Sequence, residues 1–230
     1  MKKVLVLLVV GAMLATPAFA AGIRNSKHDL SASSAGATIK AGSGDETCVY
    51  CHTPHGGATG ILAPLWNRTI VAGGFVAADL YNSATLDQTN SNPTTVLNAV
   101  NNSDAPLCYS CHDGRTLVGG LTNPSNADGQ PAAGTLAGGV SGFMDLDASG
   151  EALTNDHPIG MDYGAVQTAD SAGFNGETTA NTDVGGLPLF TTTGVMWCSS
   201  CHDVHDQGGF APFLNMSNAG SALCTTCHIK

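Results

Sequence analysis

Apolar positions gather at one end of the chain and then thin out. Residues 4–15 form an unbroken apolar run behind Lys2 and Lys3, followed by Pro17 and the small-residue site Ala18-Phe19-Ala20. That order predicts a cleavable export signal over residues 1–20, with cleavage after Ala20. The run is shorter than the ~20 residues a membrane span requires, and no second candidate follows. No Cys stands at position 21 to carry a lipid anchor. The remainder, residues 21–230, reads as one domain with little periodicity. Residues 60–66 and 69–81 predict brief strands or helical turns. Asn90, Ser91, Asn92 and Pro93 mark a turn, and residues 94–100 predict a short helix. Residues 119–155 and 164–194, rich in Gly, Thr, Ala, Asn and Asp, predict irregular coil. Coil of that length argues against a compact domain unless something other than secondary structure orders it.

Composition sharpens the problem. With 6% aromatic and 11% charged residues and 29 Gly in 230, a large side-chain core has little to be built from. An ordinary enzyme core is therefore disfavoured. Eight basic residues stand against 18 acidic ones, so nothing supplies the phosphate neutralisation that nucleic-acid binding needs. Loss of Lys2 and Lys3 with the signal leaves 6 basic against 18 acidic residues, a balance of −12. Such a field attracts cations and basic partners.

All eight cysteines fall in four copies of C-x-x-C-H: Cys48-Cys51-His52, Cys108-Cys111-His112, Cys198-Cys201-His202 and Cys224-Cys227-His228, motifs I to IV. This is the attachment pattern of c-type haem, in which both thiols add to the haem vinyl groups and the adjacent His ligates the iron. A short helical turn puts the two sulfurs along one porphyrin edge and aims the imidazole at the metal. A disulfide scaffold does not require a His after every second Cys. A thioredoxin-type pair does not need four copies. Zinc is the strongest competitor, because Cys198, Cys201, Cys224 and Cys227 form a C-x-x-C…C-x-x-C set, but its gap of 22 residues is long and motifs I and II have no such partner. Four covalently attached haem c groups are the expectation, forming the core of a fold that is otherwise mostly irregular coil with short helices at the motifs.

Four histidines remain outside the motifs, His28, His55, His157 and His205, one for each iron's sixth position. Bis-His coordination follows, with Met144, Met161, Met196 and Met216 as competing ligands. His55 lies three residues after His52, and His205 three after His202. A porphyrin does not fit between imidazoles so close in sequence, so each should serve another haem. The expectation is His55 on haem II and His205 on haem IV, with I–II and III–IV as close pairs and His28 and His157 left for haems I and III. Separately, Asp145, Asp147, Ser149, Gly150 and Asp156 fit positions of a calcium loop, a candidate divalent-cation site, although Asp stands where Glu is usual, no amphipathic helices flank it, and an acidic turn is the plainer reading.

Ser26-Lys27-His28-Asp29-Leu30-Ser31, Cys48 to His55, Asp156-His157-Pro158 and Cys198 to His205 resemble multihaem c-type cytochromes, most closely the tetrahaem, filament-forming OmcE-type extracellular cytochromes (cytochrome nanowires). The resemblance implies sparse secondary structure and a homopolymeric filament in which a ligand is shared across the subunit interface. It implies electron conduction from the cell surface to extracellular acceptors such as metal oxides or to partner cytochromes. An interfacial ligand near the N-terminus points to His28, on an arm with little apolar content to dock it. The alternative has His28 fold back onto haem I of its own chain. A monomeric periplasmic tetrahaem shuttle and a multihaem reductase are the competing functions. Eight histidines saturating four irons favour an electron carrier over an enzyme.

Overall fold

The structure, a computed structural model, describes residues 22–41, 44–59, 63, 65–68, 81, 103–112, 121–123, 153, 156–180, 182–190 and 194–230. Its elements are short. A 3-10 turn at Cys48–Tyr50 is followed by helices α1 (Ala105–His112), α2 (Tyr163–Ala169), α3 (Cys198–Cys201) and α4 (Ala222–Cys227). Four two-residue strands, β1 (Met161–Asp162), β2 (Asp183–Val184), β3 (Leu187–Pro188) and β4 (Val195–Met196), and a second 3-10 turn at Ala219–Ser221 complete those of the described residues. Every C-x-x-C-H motif sits on one of these helical turns, and most of the other described residues are turns, bends and coil. The chain is thus mostly coil with short helices at its cysteine motifs.

Residues 164–194 depart from the coil expected of them. Asp162 caps α2, its carboxylate accepting the Ala165 N–H at 3.0 Å. Between β2 and β3 lie Gly185 and Gly186, at φ +58° and +89°. Both signs suit the two-residue turn of a tight hairpin, which glycine adopts without a Cβ penalty. β1 pairs antiparallel with β4, setting Met161 opposite Met196 and Asp162 opposite Val195. The apolar cluster this creates is small: Tyr163, Val184, Leu189 and Met196, with Ile159, Phe174 and Cys227 packed against it. Cys227 belongs to motif IV, so this cluster directly supports that motif.

The N-terminal arm is better anchored than its composition predicts, and polar groups do the anchoring. Asp29 is fully buried and accepts the N–H of Asn25 (2.7 Å), the N–H of Ser31 (3.2 Å) and the Ser31 hydroxyl (2.6 Å). Burial pushes its carboxyl up, but the hydrogen bonds from Asn25 and Ser31 outweigh that and hold it below the ordinary Asp value. Two backbone bonds of 2.8 Å, Ala41 to Leu30 and Ala32 to Gly44, close the arm on itself.

Among the described residues, no helix is long and apolar enough to cross a membrane. The export signal, residues 69–80, the helix expected at 94–100 and the calcium-loop positions Asp145, Asp147, Ser149 and Gly150 lie outside the described residues.

Candidate metal centres

One thiol in each motif, Cys51, Cys108, Cys201 and Cys227, is pushed above its ordinary value by its surroundings. Burial pushes Cys51 up to about 12 and Cys201 up to about 11. Cys108 is raised well above its ordinary value, by its hydrogen bond with Cys198 and then by burial. None of the eight cysteines is paired in a disulfide. A zinc thiolate needs deprotonated sulfur, whereas a thioether to a haem vinyl group is uncharged. The described residues include every Cys and His, and among them no three or more Cys, His, Asp or Glu gather where they would hold a metal ion. Spread along the chain rather than gathered as one tetrahedral set, these donors fit haem attachment better than zinc.

The imidazoles come together in pairs. His28 faces His112 with ring centroids 6.1 Å apart, His52 faces His205 at 6.3 Å, and His157 faces His228 at 6.2 Å. Each pair joins one motif histidine to one spare histidine. Two imidazoles on opposite sides of one metal, each at a metal–nitrogen bond of about 2.0 Å, have their ring centres roughly 6 Å apart. The spacing is the one that bis-His ligation of an iron requires.

These pairs correct the expected assignment. His205 stands opposite motif I rather than motif IV, and His157 opposite motif IV rather than motif I or III. His28 stands opposite motif II of its own chain, so it is neither on haem I nor turned outward. The physical reason for the last is the buried Asp29 beside it. Two histidines stay outside the pairs. His202 meets no imidazole at that spacing, and His55 is exposed: its backbone carbonyl accepts the Thr53 hydroxyl at 2.9 Å and the Asn123 amide at 3.0 Å, while its imidazole has no ring, hydrogen-bond or ion-pair partner among the described residues.

Protonation is set in the same direction. The Nδ1 of His202 lies 3.1 Å from the Pro212 carbonyl and that of His157 lies 2.9 Å from the Pro158 carbonyl. A carbonyl only accepts, so Nδ1 carries the proton and Nε2 keeps its lone pair for a metal. Burial, then the neighbouring His112 and His202, lower His28 to about 4, leaving the neutral imidazole a metal takes. Its Nδ1 is buried without a hydrogen-bond partner. Two competing thioethers are otherwise engaged: Met196 is buried in the apolar cluster, and the Met216 sulfur accepts the Thr226 hydroxyl at 3.3 Å. Met144 lies outside the described residues.

The motifs follow one another in space as in sequence. Cys111 raises the Cys51 thiol, Cys198 raises Cys108, and Cys227 and Cys224 raise Cys201, so each of these sulfurs has the next motif close by. Asp104, just before α1, accepts the Ser199 N–H at 3.2 Å and ties motif II to motif III. Contact II–III, not expected from the sequence, turns two close pairs into a row.

Sequence reasoning also missed the rings that pack on these imidazoles. Trp66 lies 6.0 Å from His52, Phe174 4.7 Å from His228 and Phe213 4.5 Å from His28. Their signal is faint but present: Trp66 and Phe174 each precede an Asn, as Leu214 does.

A coil-dominated chain that sets imidazole opposite imidazole at three of four C-x-x-C-H turns has the makings of a c-type haem protein. The family model of the doubled CXXCH motif matches residues 191–230, which hold motifs III and IV. The match points to a multihaem c-type cytochrome with covalently bound haem c, and so to electron transfer. No curated protein matches the chain.

Proposed function

We propose that this protein carries four haem c groups, one per motif, and polymerises into an extracellular filament that conducts electrons to acceptors such as metal oxides or partner cytochromes. Haem iron held between two imidazoles supplies reversible one-electron exchange. The chain's own part is to fix the ligands and set the order I–II–III–IV. The observation that carries the reading is the remainder left by the three imidazole pairs: motif III, without an opposite imidazole, and an exposed His55 whose imidazole is unengaged. A second copy of the chain supplies His55 to His202. This replaces His28 as the shared ligand. One chain's His55 on the next chain's motif III is a heterologous contact, which extends as an open row when its rotation does not close. Exposed apolar side chains flank both groups: Leu65, 51% exposed, whose carbonyl accepts the Thr53 N–H, and Val204 and Phe210, 44% and 39% exposed, in the loop after His202. The mature balance of −12 favours cationic and basic redox partners. Export by the N-terminal signal takes the chain to where a filament is useful.

Replacing His55 by Ala tests this. Wild-type protein should form filaments in negative stain with every haem low-spin. His55→Ala should give short or monomeric particles in which one haem per chain has turned high-spin. Filaments of His55→Ala with all haems low-spin would overturn the shared ligand. The same unpaired His202 favours a second reading, a reductase with an open iron at motif III. Carbon monoxide separates the two: stoichiometric binding to the reduced, assembled wild type supports the reductase, and no binding supports the conductor.

A further inference from the structure

Three of the four motifs are gripped in the same way by residues with no motif of their own. Trp66-Asn67, Phe174-Asn175 and Leu214-Asn215 each run antiparallel past a motif. The apolar residue pairs in an isolated bridge with the motif histidine: Trp66 with His52, Phe174 with His228, Leu214 with His202. The next backbone N–H, that of the Asn, donates to the carbonyl of the second cysteine, Cys51, Cys227 or Cys201, at 2.9 Å each time. The Asn side-chain amide then donates to the carbonyls between the cysteines. Asn67 reaches Val49 at 2.7 Å. Asn175 reaches Thr225 at 3.0 Å and Thr226 at 3.1 Å. Asn215 reaches Ser199 at 2.7 Å and Ser200 at 3.1 Å.

A helical turn leaves its last carbonyls without intrahelical partners. One Asn brings three N–H donors, two from its side chain and one from its backbone. Asn175 and Asn215 donate all three to carbonyls of their motifs, while Asn67 donates two there and its third to the Asn123 carbonyl at 3.0 Å. No single local loop explains the repetition. Asn67 and Asn215 follow their motifs by 18 and 16 residues from the carbonyls they meet, while Asn175 precedes its motif by 50. Three different routes of the chain arrive at one geometry.

The geometry assigns Asn67, Asn175 and Asn215 a shared role as positioning residues for the proximal histidines of motifs I, IV and III. The grip ends the helical turn and sends the histidine into extended backbone, at φ −116°, ψ 134° for His202 and φ −96°, ψ 133° for His228. It also fixes the segment whose groups touch the imidazole. For motif I that group is the Trp66 ring, for motif IV the Phe174 ring, and for motif III the Pro212 carbonyl on Nδ1. Outer partners of this kind orient a ligating imidazole and tune its metal. Each Asn therefore sets the electronic state of one haem. Arg68, buried beside Asn67, points its guanidinium at the Ser110 carbonyl of motif II at 3.5 Å, so consecutive residues reach two motifs.

The inference rests on a haem at each motif, and a haem count on the wild type tests that reading separately. The test of the Asn role is electron paramagnetic resonance and redox titration of purified Asn67→Ala, Asn175→Ala and Asn215→Ala holoproteins. Each should shift the g-values and potential of one haem, a different one for each variant, and leave the others as in wild type. Asn→Asp should shift the same haem further, because its carboxylate oxygens face carbonyl oxygens. Should buried Asn67→Ala give no holoprotein, Asn67→Ser, which keeps a donor, should shift the same single haem less. Variants whose haem signals are all unchanged, or all displaced together with the thermal midpoint, would overturn the assignment.

Discussion

Asp29 illustrates what composition hides at the scale of a residue. The arm that carries His28 is poor in apolar side chains, and from sequence that reads as weak anchoring. A single buried carboxylate with three donors on it reverses the conclusion, holding His28 against His112 inside the chain. Hydrogen bonds to a charged group are each worth about 1.5–3 kcal/mol net, and removing the acceptor orphans its donors. Asp29→Ala should therefore destabilise the arm by about 3 kcal/mol or more. Its spectral signature should be a high-spin haem at motif II, read by magnetic circular dichroism, with the other haems unchanged. A variant with every haem low-spin would show that the arm does not depend on Asp29. The spare histidines were legible as a count, four for four, but not as pairs. Pairing is decided by loops, and the segment after His202 folds back to lay His205 across from His52.

At the scale of elements, the four motif turns were legible because their chemistry demands them. The cap of α2 and the β2–β3 hairpin were equally present in the sequence, as Asp162 before Tyr163 and as Val184-Gly185-Gly186-Leu187. They were hidden by the low apolar content around them, which reads as coil. Gly185 shows why the hairpin matters to the site. Its φ is +58°, and a Cβ built there would lie 2.6 Å from the Thr226 methyl, between the cysteines of motif IV. An L-residue in the left-handed region costs about 1–2 kcal/mol before any overlap is counted. Gly185→Ala should lower the thermal midpoint accordingly and loosen motif IV first, seen as earlier hydrogen exchange over α4. Unchanged stability would mean that the hairpin does not brace the motif.

On the scale of the whole molecule, the apolar cluster seen among the described residues is small and leans on Cys227. What organises the chain is the row of motifs, each touching the next, with polar grips at three of them. The sequence shows that row as four repeats without showing its continuity, because the II–III contact comes from Asp104 and Cys108 meeting Ser199 and Cys198 across a long stretch of chain. The proposed filament and the proposed sharing of His55 both presuppose that every motif is loaded. A pyridine haemochrome count on the purified protein is therefore the most direct test of the account. It should return four haems per chain; three or fewer would contradict it.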